Sequence, residues 1–280
     1  MHRTGGRSAD RAGWSGWSRR GLVLAVLVVL ALGTASAPTA NGQAFQPLPP
    51  ADPPAHRAAP CRPAAPAVEK TPGVSVRVDR GPAECHAVSL SFDNGADRGY
   101  AEQILDILKE EQVPVSFGMT GAWAQSNPDL TQRIVDEGHE LINHTWAHRS
   151  FTGFSAGRPL AVGERRLELE RTEAFLVETF GRSPKPLFRP PYGDLDPGVL
   201  KDVADAGYDY TIMWTIDSLG WNGLKAPGIV QRVLGRVEPG AIVLFHVGIQ
   251  SEDALALKAI IGGLREQGYV FVNITDLLGL

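Results

Sequence analysis

Cysteine is nearly missing: Cys61 and Cys85 are the only two in 280 residues. That is too few for a thiolate-held metal, and in an oxidising compartment the plain expectation is a single disulfide joining them. No dinucleotide-binding glycine fingerprint is present, and no His-Glu-x-x-His, which speaks against a nicotinamide enzyme and against a glutamate-assisted zinc amidase or peptidase. The uninterrupted apolar run Gly21 to Gly33 has thirteen residues, short of the roughly twenty that span a bilayer as a helix. No stable membrane insertion is therefore expected. There is no basic surplus either. The formal net charge is −4, and the first 37 residues carry five arginines against Asp10, so the remainder stands near −8. A nucleic acid or an anionic membrane surface would call for a basic face.

What is present divides the chain into three. Arg19 and Arg20 precede the apolar run, which gives way to Thr34-Ala35-Ser36-Ala37. This is the order of a secretory signal, so residues 1–37 are expected to be a signal peptide and the product secreted or cell-wall associated. Ser18-Arg19-Arg20-Gly21-Leu22 loosely resembles a twin-arginine signal, and Pro38 weakens cleavage directly after Ala37. Residues 38–83 are Ala- and Pro-rich without periodicity, the composition of a disordered linker. Residues 84–280 are expected to form one domain with a full core.

Within that domain strand-like and helix-like segments alternate. Strands are expected at His86 to Phe92, Val113 to Met119, Glu140 to Asn143, Leu187-Phe188, Tyr208 to Ile216, Ala241 to Phe245 and Tyr269 to Val272. Helices are expected at Gly99 to Gln112, Pro128 to Glu137, Leu160 to Phe180, Pro197 to Ala206, Pro227 to Val237 and Asp253 to Gln267. Proline in a first turn and glycine just past an end mark several of these boundaries. Successive βα units imply an α/β fold with a parallel sheet, and a barrel is favoured.

Each polar cluster follows an expected strand: Asp93-Asn94, His144 with His148, Arg189-Pro190-Pro191-Tyr192, Asp217 and His246. In a parallel barrel those loops share one rim, which brings residues distant in sequence into one cleft. Two imidazoles four residues apart can converge on a metal if the backbone is helical or tightly turned there.

These stretches carry a resemblance. Ser91-Phe92-Asp93-Asn94-Gly95, His144-Thr145-Trp146-Ala147-His148, Arg189-Pro190-Pro191-Tyr192-Gly193, Asp217-Ser218-Leu219-Gly220-Trp221 and Leu244-Phe245-His246 resemble, in order and spacing, the five motifs of the polysaccharide deacetylases. That family is carbohydrate esterase family four, with the NodB-homology domain. The resemblance implies a distorted (β/α)7 barrel and metal-dependent hydrolysis of acetyl groups on a glycan substrate. Carried over, it makes Asp93 the general base and His144 and His148 metal ligands, with Arg189 holding Asp93 ionised. The Tyr192 N–H would bind the oxyanion. His246 would be the general acid, kept basic by Asp217, and Trp221 and Leu244 would line the acetyl pocket. The chemistry is coherent, because a metal activates water, a carboxylate takes its proton, and an amine leaves only with a proton supplied.

Two positions depart from the family pattern. Asn94 stands where a second Asp commonly supplies the third metal ligand, so a divalent ion, zinc by expectation, should bind more weakly. The Asp-Asn-Gly turn also resembles the peptidoglycan N-acetylmuramic acid deacetylases. Gly220 stands where an Asp often precedes the Trp. Asp97 is a candidate for the missing carboxylate; His139 is expected to pack at a helix–strand corner; Tyr100, Trp123, Trp146 and Trp214 are either sugar-stacking or core residues. The expectation is a monomeric deacetylase of N-acetylated cell-wall glycan. The alternatives are a sugar-binding relic of the same fold, or a deacetylase of an O-acetylated glycan such as xylan.

Overall fold

The computed structural model describes residues 68–280 except Cys85 and Ala96. The expected signal segment, the linker as far as residue 67, and the Cys61–Cys85 pairing lie outside the described residues. Nine strands form one sheet: β1 (Val76–Val78), β2 (Ala87–Asn94), β3 (Ser116–Met119), β4 (Glu140–Asn143), β5 (Leu187–Phe188), β6 (Tyr210–Ile212), β7 (Ile216–Asp217), β8 (Ala241–His246) and β9 (Val270–Phe271). Around it run α1 (Ala101–Glu111), α2 (Gly121–Ser126), α3 (Pro128–Asp136), α4 (Val162–Phe180), α5 (Pro197–Asp205), α6 (Ala226–Leu234), α7 (Asp253–Glu266) and α8 (Ile274–Leu278). Among the described residues no helix is long and apolar enough to cross a membrane.

The strand order is β1, β6, β5, β4, β3, β2, β8, β7, with β9 added against the start of β2. Every strand pair is parallel. The expected α/β barrel is therefore the fold, as an open half-barrel of the distorted (β/α)7 kind whose ends are β1 and β7. The expected strand Tyr208 to Ile216 is in fact two. β6 pairs with β5 and β1, whereas β7 pairs with β8 at the opposite end of the strand order. Between them the Met213 N–H donates to Val78 and the Thr215 N–H to Ile242, both at 2.8 Å. One apolar run thus links the two ends of the sheet.

Residues 68–83 correct the expected linker boundary. Val76 to Val78 align with Tyr210 to Ile212, and the Ser75 N–H donates to Leu200 at 2.9 Å. A three-residue edge strand is too short to stand out from the Ala/Pro background that surrounds it. Helix α2 is likewise absent from the sequence reading: it has six residues and is started by Thr120, whose hydroxyl accepts from the Trp123 N–H.

Strand β2 is central, and all eight of its residues are buried. Its alternation separates two environments. Val88, Leu90 and Phe92 face the helix-covered core with residues of α1 and α7. Ser89, Ser91 and Asp93 take the other face, a polar column ending at the strand's carboxyl end. Phe92 anchors the apolar side, stacked on Phe117 at 5.5 Å and Phe245 at 5.2 Å between ring centres. Phe92→Ala is expected to cost about 3–5 kcal/mol of stability, read by urea unfolding; a loss below about 1 kcal/mol would show that the neighbouring rings close the gap.

Candidate active site

Arg189, directly after β5, is fully buried beneath the sheet's carboxyl end. A buried guanidinium is tolerated only if its donors are satisfied. Nη1 donates to Asp93 Oδ1 at 2.8 Å, Nη2 to Ser91 Oγ at 3.0 Å and Nε to the Ile212 carbonyl at 3.2 Å. Ser91 in turn donates to the Val243 carbonyl at 2.9 Å. Burial alone would push the Asp93 carboxyl up, but the charges of His144, Arg189 and His246 and the Arg189 hydrogen bond outweigh it and hold the group below the ordinary carboxylate range. In register, Asp93 lies between Gly118 on β3 and His246 on β8. A β-carbon at Gly118 would sit 2.1 Å from Asp93 Oδ1, so glycine there leaves room for the carboxylate.

The same arginine orients a histidine through its backbone. His144 Nδ1 lies 2.8 Å from the Arg189 carbonyl. A carbonyl can only accept, so Nδ1 carries the proton and Nε2 keeps its lone pair. That Nε2 is 3.5 Å from Asp93 Oδ2. Burial, chiefly, depresses the His144 pKa and takes that of His148 down to about 4, leaving both rings neutral. The two rings are 4.9 Å apart. They are brought together by a turn, not by a helix: Thr145 and His148 have φ of 67° and 54°, a left-handed conformation that side chains at those positions strain to adopt. Asn143 Oδ1 accepts from the Thr145 N–H, and Thr145 Oγ1 from the His148 N–H, which hold the turn.

Among the described residues no three His, Cys, Asp or Glu side chains form a metal cage. The donor set nevertheless fits a divalent ion once an amide is admitted. Asn94 is fully buried, and neither its Oδ1 nor its Nδ2 has a hydrogen-bond partner. Two imidazoles and an amide oxygen with no hydrogen-bond partner are donor types that a divalent ion takes. Asp97 does not supply the missing carboxylate to such a cage: its Oδ1 accepts from the Ile249 N–H at 2.9 Å.

A cavity of about 590 Å³ opens above these groups, lined by Asp93, His144, His148, Tyr192, Asp217, Trp221, Leu244 and His246. Arg189 and Asn94 are not among its lining residues. Tyr192 adopts a left-handed φ of 62° and its ring stands 4.7 Å from that of His148. The expected pairing of Asp217 with His246 is corrected. Asp217 accepts instead from the Trp221 indole N–H at 3.1 and 3.2 Å and from the Leu219 N–H at 2.8 Å. The carboxylate near the His246 ring belongs to Asp253, whose Oδ2 accepts the His246 backbone N–H at 2.8 Å. Ser91, Gly118 and Asp253 were missed in the sequence reading. Ser91 is signalled only by strand alternation, and the other two by nothing local.

The remaining candidates sort by burial. His139 packs on the Phe117 ring, its pKa lowered to about 4 by burial. Trp123 and Trp146 are core residues, the latter covered by the Arg171 guanidinium, and Tyr100 packs against the same core. Trp214 alone of those four reaches the cavity.

Three comparisons bear on this geometry. The family profile described as polysaccharide deacetylase matches residues 80–211. The peptidoglycan-N-acetylglucosamine deacetylase of Bacillus cereus is 32% identical over 200 residues, covering 70% of this chain and 70% of that protein. The peptidoglycan-N-acetylmuramic acid deacetylase PdaA of Bacillus subtilis is 31% identical, covering 68% and 71%. A solved pseudoenzyme of carbohydrate esterase family four from Bacillus anthracis superimposes with a TM-score of 0.65 at 32% identity, over 72% of this chain and 69% of that one.

Replacing Arg189 with Met would leave the Asp93 charge buried without its partner, an expected loss of about 3–5 kcal/mol near neutral pH. Asp93 has a lower pKa folded than unfolded. Its pairing therefore contributes fully above the unfolded value, roughly 3.9, and fades as pH falls through the folded one. The deficit of R189M should shrink on acidification, followed by urea unfolding at stepped pH. A deficit that stays constant would show that Arg189 does not hold Asp93 ionised.

Proposed function

Because this chain belongs to the polysaccharide deacetylase family, hydrolases that act on N-acetyl groups, we propose that it hydrolyses the acetamide of N-acetylated peptidoglycan sugars and releases acetate at the cell wall. The observation that carries the proposal is Asp93, bonded to buried Arg189 at 2.8 Å and 3.5 Å from the His144 ring, facing one cavity with His246.

In this reading His144, His148 and Asn94 hold a divalent ion, zinc by the chemistry of the imidazole pair. Bound there, the ion supplies Lewis-acid polarisation and lowers the pKa of water. Asp93 takes the proton of the attacking water as its oxygen bonds to the acetyl carbon. The Tyr192 N–H donates to the oxygen that becomes negative, a contribution of roughly 3 kcal/mol for such a donor. His246 gives its proton to the sugar nitrogen as the C–N bond breaks, so that a neutral amine departs. Leu244 and the Trp221 ring, fixed by Asp217, wall the acetyl group and exclude water from the far side. Exposed Tyr192 and Trp221 offer faces on which a sugar ring stacks.

A second reading is favoured by one residue. Asn94 lacks the charge that a tight divalent site uses, and a glycan-binding relic without catalysis would tolerate that loss. Glycan binding without acetate release under any divalent ion would support the relic.

Asp93→Asn, whose amide oxygen still accepts from Arg189, should fold with reduced stability and lower acetate release by on the order of 10²–10⁴-fold, measured on acetylated peptidoglycan fragments with folding checked by circular dichroism; a folded, active variant removes Asp93 as base. Asn94→Asp should tighten zinc binding in calorimetry by restoring a charged ligand. Unchanged affinity would place Asn94 outside the ion's reach.

A further inference from the structure

We propose that Asp253 is the positioning carboxylate for His246, and that Gly220 is glycine because the volume its side chain would need is filled by Asp253 and Ser251. The inference rests on the deacetylase reading for its kinetic consequence, though not for its geometry.

Asp253 is the first residue of α7 and has no exposure to solvent. Its Oδ2 accepts from the His246 backbone N–H at 2.8 Å and from Ser218 Oγ at 3.1 Å, and lies 3.9 Å from His246 Nδ1. Three side-chain atoms here are buried without a hydrogen-bond partner: Asp253 Oδ1, Ser251 Oγ and His246 Nδ1. The ring nitrogen has no other partner, and a ring shift of about 1 Å from 3.9 Å brings Nδ1 within the roughly 2.7–3.2 Å of a hydrogen bond to Asp253 Oδ2. With Nδ1 turned inward, Nε2 is the nitrogen left to face the cavity that His246 lines. A histidine held by a carboxylate on one nitrogen and working through the other is the arrangement that fixes tautomer and ring direction.

Gly220 completes the argument. A β-carbon built there would meet Ser251 Oγ at 2.2 Å, Asp253 Oδ1 at 2.7 Å and Asp253 Cγ at 3.0 Å. No side chain at 220 coexists with this carboxylate, so the segment after β7 yields its place to a group from α7. Asp217, the other acid nearby, is engaged by Trp221 and Leu219. The titratable groups around His246 are Asp253 from α7 and, lining the same cavity, Asp93 from β2, Asp97 from the loop after it, His144 and His148 from the turn after β4, Tyr192 after β5 and Asp217 from β7.

Asp253→Asn keeps the shape and an oxygen for the His246 N–H. It is expected to lower kcat on the order of 10- to 100-fold with KM within about twofold of the parent, and to move the alkaline limb of the kcat–pH profile to lower pH, since a carboxylate favours the protonated form of a neighbouring imidazole. Gly220→Ala, which displaces the carboxylate sterically, should reproduce the effect. Imidazole ¹⁵N NMR of His246 reads the geometry without activity. The parent should show Nδ1 protonated, and D253N a mixture of tautomers. Unchanged tautomer and an unmoved alkaline limb in D253N would overturn the inference. A parent that releases no acetate but whose His246 tautomer responds to D253N would sink the deacetylase reading and leave the positioning role standing.

Discussion

One buried cation organises the mouth of the sheet. The Arg189 side chain fixes the Asp93 carboxylate and its backbone carbonyl fixes the His144 tautomer, so a single residue sets two groups that line one cavity. A guanidinium with no solvent exposure is unstable unless neighbouring strands surround it with acceptors, and they do so from β2, β6 and the segment following β6. The open half-barrel brings those acceptors together because the carboxyl ends of its strands converge on one side. Fold and chemistry are coupled here, since perturbing the pair disturbs the sheet as well as the site.

Electrostatically the acids of the site differ in their partners. Burial depresses the pKa of His144 and His148, while the Arg189 guanidinium, bonded to Asp93, keeps that carboxylate ionised. The other acids are bound by neutral donors: Asp217 by an indole and a backbone N–H, fully buried Asp253 by a hydroxyl and a backbone N–H.

Much of the framework was legible in the sequence because each strand is an apolar run that ends abruptly in a polar residue. Phe92-Asp93, Ile142-Asn143, Phe188-Arg189 and Phe245-His246 are such boundaries, and strand parallelism then puts them on one rim. The illegible parts depend on contacts distant in sequence. Asp253 opens a helix with no local mark that separates it from an ordinary first-turn acid, and its partner lies across the space vacated at Gly220. The break between β6 and β7 depends on which neighbours the two halves meet, and not on a change of composition. Strand β1 is hidden by brevity. The left-handed backbone at Thr145 and His148 is held by their N–H groups donating to Asn143 Oδ1 and Thr145 Oγ1, and nothing in the run of residue types marks it.

The most direct test of the account is anomalous diffraction from crystals grown with zinc. The account requires a peak within bonding distance of His144 Nε2, a His148 ring nitrogen and Asn94 Oδ1, with Asp93 still bonded to Arg189. An absent peak, or one that draws Asp93 away from Arg189 into the ligand set, would contradict it.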